Sequence, residues 1–140
     1  NVNYANELAN YLQVQDWKQF FTLTTGYELT LKSSRRLVER FHDRAKYKVC
    51  NGVLRTFWVA EKFEVKDGYH IHGLLDYPLE VFPGNNDYEV LTEVHQIVSA
   101  AQKTGQRYRA SFLKYDPARS AGRYCSKYLL KRYSDYDLLT

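Results

Sequence analysis

Hydrophobic and polar positions alternate along this chain with two periods, and each stretch of constant period predicts an element. Leu8, Tyr11 and Leu12 fall at helical spacing and predict a short amphipathic helix over residues 4–15. Trp17 to Thr25 is rich in aromatic and β-branched residues and predicts a strand. Leu37, Val38 and Phe41 form the apolar face of a helix that Ser33 or Ser34 can cap and that runs to about Tyr47. Cys50-Asn51-Gly52 stops it. Residues 53–64 predict a long strand, and Lys66-Asp67-Gly68 turns the chain into a second one that starts at Tyr69. Pro78, Pro83, Gly84 and Asn85-Asn86 mark a loop. Val90, Leu91, Val94, Ile97 and Val98 give a helix over about 88–102, ended by Gly105. A strand follows over 107–114, and Asp116-Pro117 opens a last helix, roughly 118–132. One hairpin with helical crossovers implies an α+β fold. Its sheet is mainly antiparallel with flanking helices, close to the β-α-β-β-α-β ferredoxin-like arrangement.

Composition narrows the class. The 140 residues suit one domain, residues 1–140, with 44% hydrophobic and 26% charged residues. No repeat or low-complexity tract is seen, no apolar run approaches a membrane span and no signal-peptide pattern opens the chain. The first residue is Asn1 rather than Met, as in a segment trimmed from a longer protein. Two cysteines, Cys50 and Cys125, form no disulfide framework and no zinc-type spacing, so a reducing, intracellular setting is expected. The net charge of +4 leans toward an anionic partner. Thirteen Tyr, seven Phe and two Trp are many, and some sit beside cations, as in Arg107-Tyr108-Arg109 and Arg123-Tyr124. Rings next to cations suit single-stranded nucleic acid, which offers bases to stack and phosphates to neutralise.

The candidate chemistry begins at Tyr69-His70-Ile71-His72-Gly73-Leu74. On a strand, i and i+2 point to one face, so His70 and His72 stand side by side on a rigid surface. Imidazole is a common metal ligand. A third ligand is expected on the preceding strand, at Glu61. A four-residue loop pairs Glu61 with His72, and a two-residue Asp67-Gly68 turn pairs Phe63 with His72. Either register leaves Glu61 on the histidines' face, because the two differ by an even number of residues. Glu61 lies between Val59 and Phe63 on that face, a costly place for an unpaired carboxylate. Two imidazoles and one carboxylate with open positions suit a divalent ion such as Mn²⁺ or Mg²⁺.

The candidate nucleophile is in the last helix. Tyr124, Lys127, Tyr128 and Lys131 fall at i, i+3, i+4 and i+7 and form one stripe. A phenol has a pKa of about 10 and attacks poorly at neutral pH. A neighbouring Lys and a metal-polarised phosphate can make up the deficit.

Three segments, in order, resemble the motifs of the HUH endonucleases, the rolling-circle replication initiators of small viruses, phages and plasmids. Phe21-Thr22-Leu23-Thr24-Thr25 resembles their first motif. Tyr69 to Leu74 resembles the second, two histidines flanked by bulky hydrophobics. Tyr124-Cys125-Ser126-Lys127 resembles the third, Tyr-x-x-Lys. The resemblance covers about residues 17–132. It implies metal-dependent, site-specific nicking and joining of single-stranded DNA at a replication origin, with a stem-loop as the expected site. Tyr124 would be the nucleophile and Lys127 would position the phosphate, while Glu61, His70 and His72 would hold the ion. Thr22, Thr24, Arg107, Arg109, Arg123 and Lys131 would contact DNA. Tyr128 adds the Tyr-x-x-x-Tyr spacing of two-tyrosine initiators, so one- and two-tyrosine mechanisms both remain open. No Gly-x-x-x-x-Gly-Lys-Ser/Thr occurs, so a helicase is expected from another domain or protein. The implied compartment is the host cytoplasm for a prokaryotic replicon and the nucleus for a eukaryotic virus.

Three other readings remain. An HUH-type transposase shares the chemistry. A non-catalytic ferredoxin-like binding module for single-stranded nucleic acid leaves Glu61, His70 and His72 unexplained. A cupin-like metal enzyme also begins His-x-His, but wants a Glu where this chain has Tyr77.

Overall fold

A computed structural model of the chain describes residues 2–13, 15–78, 96, 109–116 and 135–140. The described elements are α1 (Val2–Gln13), β1 (Gln19–Thr24), α2 (Leu31–Arg44), β2 (Arg55–Lys62), β3 (Tyr69–Asp76), β4 (Arg109–Lys114) and β5 (Asp135–Leu139), with a π-helical turn at Ala45–Val49. The five strands form one sheet in the order β4-β1-β3-β2-β5, and every neighbouring pair is antiparallel. The first four strands have the order expected of the ferredoxin-like connection, so the α+β class stands. The expected helices at 88–102 and 118–132 lie outside the described residues, apart from Gln96, which is helical.

Sheet alternation splits the core in two. Phe21, Leu23, Trp58, Ala60, Ile71 and Leu75 face α2 and pack on its Leu37, Val38 and Phe41. Phe57, Val59 and Leu74 face the other way and pack on Ala9, Leu12 and Trp17. Phe21, Phe41, Phe57 and Trp58 are at most 1% exposed. Burying each such ring stabilises the fold by roughly 2–3 kcal/mol. Gly73 is required where it stands. A Cβ there would lie 2.3 Å from the Phe57 carbonyl oxygen and 2.4 Å from the Phe21 ring, which covers it.

Local chemistry sets the helix ends. Thr30, not Ser33 or Ser34, is the N-cap of α2. Its Oγ1 accepts from the Ser33 amide at 3.0 Å, and the Thr30 amide donates to Ser33 Oγ at 2.8 Å. Ser33 is thus the reciprocal member of a capping box, which lets the helix begin at Leu31. After Ala45 the helix widens into the π turn, and Asn51 (φ 51°) and Gly52 (φ 86°) end it in left-handed backbone. At the end of α1 the Trp17 indole donates to the Leu12 carbonyl at 2.7 Å. Arg55 donates to Gln15 and Tyr11 while it pairs with Asp76, so α1 is tied to one end of the sheet.

Two findings depart from the sequence expectations. The β2–β3 register pairs Glu61 with His70 and Val59 with His72. The connection is therefore six residues, 63–68, longer than either expected loop, and the Phe63 amide closes it on the Gly68 carbonyl at 3.1 Å. The shift is again even, so no side chain changes face. The second departure is β5, a strand where none is expected. Its Asp135 and Asp137 disfavour a strand on propensity alone. Both lie within reach of Arg35 on α2, whose guanidinium donates to Asp135 at 2.9 and 3.0 Å and to Asp137 at 2.8 Å, over the Trp58 ring. Tertiary pairing overrides the local preference.

Candidate metal centre

The centre forms on the sheet face opposite α2. His70 and His72 share that face by strand alternation, and Glu61 is the direct cross-strand neighbour of His70. Glu61 Oε2 lies 3.5 Å from His72 Nε2 and 3.8 Å from His70 Nε2. One ligand atom from each of the three residues lies within 4.8 Å of the others, and this is the cluster of metal-ligating type found among the described residues. Glu61 and His72 are each 9% exposed, while His70 is half-buried. Two aromatic rings wall the histidines. Phe63 stacks on His70 at 4.7 Å between centroids, and Phe20 lies 6.1 Å from His72.

Thr22 adds a contact that the sequence did not suggest. It is the cross-strand neighbour of His72 on β1, and its Oγ1 lies 3.1 Å from His72 Nδ1. A hydrogen bond at Nδ1 fixes the ring and leaves Nε2 turned toward Glu61. Such a partner is what orients a ligating imidazole. The alternation in Phe21-Thr22-Leu23 is the available signal, since it puts Thr22 on the histidine face once β1 and β3 are known to pair.

The donor set fits a divalent metal. Cis ligands about 2.1 Å from a small divalent ion stand roughly 3 Å apart, and the observed spacings need only a slight contraction. Two imidazoles and one carboxylate occupy three positions and leave the others open to water or substrate.

The remaining site expectations divide by location. Thr24 is half-buried, two residues beyond Thr22 on the same face. Arg109 opens β4, where its backbone pairs with Thr24. Arg107, Arg123, Tyr124, Lys127, Tyr128 and Lys131 lie outside the described residues.

A family model for the replication-associated protein ORF2 matches residues 18–133. The chain belongs to this family. The match takes in β1 to β4, the Glu61–His70–His72 cluster and the Tyr124-to-Lys131 stretch of sequence. No curated protein and no solved structure matches the chain. Membership gives this replication-associated protein a role in DNA replication as a Rep-like protein, and hence DNA as its partner. No described helix is long and apolar enough to cross a membrane.

Proposed function

We propose that this replication-associated protein is an HUH-type endonuclease domain that starts rolling-circle replication by nicking single-stranded DNA at an origin stem-loop. The observation that carries the proposal is the Glu61–His70–His72 cluster, two strand-borne imidazoles and a carboxylate on one face of a Rep-family sheet. Those three residues would hold Mn²⁺ or Mg²⁺, which when bound supplies Lewis-acid polarisation of a phosphate oxygen.

Tyr124 Oη attacks the scissile phosphorus and gives up its proton. The bond from phosphorus to the 3′ oxygen breaks, and that oxygen takes up a proton and leaves as a free 3′-OH. The 5′ phosphate remains on the tyrosine as a phosphodiester. One phosphodiester has replaced another, so the reverse attack by a 3′-OH rejoins strands without ATP. Lys127, three residues on from Tyr124, positions the phosphate and balances its charge. Thr22 holds His72 in its ligating orientation. Arg107, Arg109, Arg123, Thr24 and Lys131 are assigned to backbone and base contacts, and Tyr128 to packing beside the nucleophile. A helicase from another domain or protein would unwind the duplex ahead of the nick.

The test is incubation of a labelled pool of single-stranded oligonucleotides with the wild type, Tyr124→Phe and His72→Ala, with and without Mn²⁺. An SDS-resistant adduct in the wild type with Mn²⁺ alone is expected. An adduct of equal yield in Tyr124→Phe would remove Tyr124 as sole nucleophile.

A further inference from the structure

Basic charge in this chain is concentrated in one place that the metal centre does not use. Residues 31–49, α2 and its π turn, hold seven Lys and Arg against two acidic residues, a net of +5. The whole chain carries +4, so the other residues together sum to −1. The excess is one-sided. Ser34, Leu37, Val38, Phe41 and His42 are buried against the sheet, while Lys32, Arg36, Arg40 and Lys48 are exposed. Glu39 is turned to Arg35, 3.6 Å away, which leaves Asp43 as the acid exposed along this face. Among the described residues, Lys32, Arg36, Arg40 and Lys48 make no ion pair.

We infer that the outer face of α2 is a docking surface for the phosphate backbone of duplex DNA, separate from the single-strand site at the metal centre. Lys32, Arg36 and Arg40 succeed one another at i, i+4 and i+8, a row about 12 Å long at 1.5 Å rise per residue. A duplex presents one phosphate per ~3.4 Å of axis on each strand, so the row spans three to four phosphates. A stiff row of cations on a helix suits a stiff polyanion. A flexible single strand also wants stacking rings, and this face offers one, Tyr47, 68% exposed with Lys46 against it. A membrane surface would take up the helix's apolar side, and that side is already in the core.

Position separates the two sites. α2 packs on the Phe21–Trp58–Ile71 face of the sheet, and Glu61, His70 and His72 stand on the opposite face. DNA at the centre therefore cannot touch α2 without passing around the sheet. The surface takes a second stretch of DNA, the duplex arm beside the single strand to be cut. That last clause rests on the nicking proposal; duplex binding itself does not.

The test compares the wild type with K32Q/R36Q/R40Q, three exposed changes, checked by circular dichroism. R36Q and R40Q singly serve as milder variants. The probes are a blunt 20-base-pair duplex and an unstructured single strand of equal length. Duplex affinity should fall at least tenfold in the triple variant and in part in each single one. The slope of log affinity against log salt should flatten by about 3, since each phosphate contact contributes ~0.9. Mn²⁺ affinity and adduct formation on the short single strand should not change. Wild type that fails to bind the duplex at low salt overturns the inference. So does duplex affinity within twofold in the triple variant, which would leave the stripe to an acidic protein, or an equal loss on both probes. Absence of any adduct would refute the nicking proposal and leave the duplex result standing.

Discussion

Thr22→Val is the sharpest probe of how the centre is built. Valine keeps the branched shape and removes only the hydroxyl that lies 3.1 Å from His72 Nδ1. With Nε2 toward the metal position, the neutral imidazole carries its proton on Nδ1 and donates it to Thr22 Oγ1. Removing the acceptor frees the ring to rotate and leaves the N–H of a 9%-exposed residue without that partner. A neutral hydrogen bond contributes about 0.5–1.5 kcal/mol net, and loss of an imidazole's outer partner weakens metal binding by roughly 10- to 100-fold. The two ranges meet near tenfold, about 1.4 kcal/mol. Isothermal titration with Mn²⁺ should show that loss. The melting temperature of the metal-free protein should hardly move, and single-strand affinity should stay within twofold. Ser111→Ala is the control, because Ser111 is the other cross-strand neighbour of Thr22 and lies on the side away from His72. Unchanged Mn²⁺ affinity in Thr22→Val, or a loss of DNA affinity in its place, would refute the orienting role.

Other perturbations follow from the packing. Gly73→Ala drives a methyl into the Phe57 carbonyl and the Phe21 ring; backbone cannot rotate away, so urea denaturation should show a loss of about 3 kcal/mol or more. Wild-type stability there would contradict the close approach. Arg35→Ala removes the clamp on Asp135 and Asp137. These groups are about a third exposed or more, so the global cost is about 1 kcal/mol. Hydrogen exchange should nonetheless quicken first at the β5 amides, and uniform quickening would argue against a local clamp. Burial of His42 pushes its pKa below the ordinary value, with Asp43 and Lys46 acting in opposite directions. The unfolded chain then binds more protons as pH falls below about 6.5, so stability drops with acid and levels off above that point. His42→Asn should flatten this slope in denaturant midpoints taken from pH 5 to 7.5, and an unchanged slope would sink the assignment.

Much of this is legible in the sequence because it rests on parity and period. Leu37, Val38 and Phe41 specify the buried face of α2 whatever its cap. Glu61, His70 and His72 share a face in any register that differs by an even number, so the centre can be read although the loop length cannot. What escapes depends on contacts distant in sequence. β5 reads poorly as a strand until Arg35, a hundred residues earlier, is seen to meet Asp135. Thr22 reads as a DNA contact because nothing in its own segment shows that β1 lies beside β3. Thr30 is hidden as a cap by the two serines that follow it.

The most direct test of the central claim is peptide mapping of the covalent product. Wild-type protein is incubated with single-stranded DNA and Mn²⁺, digested, and analysed by mass spectrometry, with His70→Ala and Glu61→Ala run alongside. The account expects a nucleotide-bearing peptide modified at Tyr124, formed with Mn²⁺ and lost in both variants. DNA found on Tyr128 as often as on Tyr124, or an adduct that forms equally well without metal and in both variants, would contradict it.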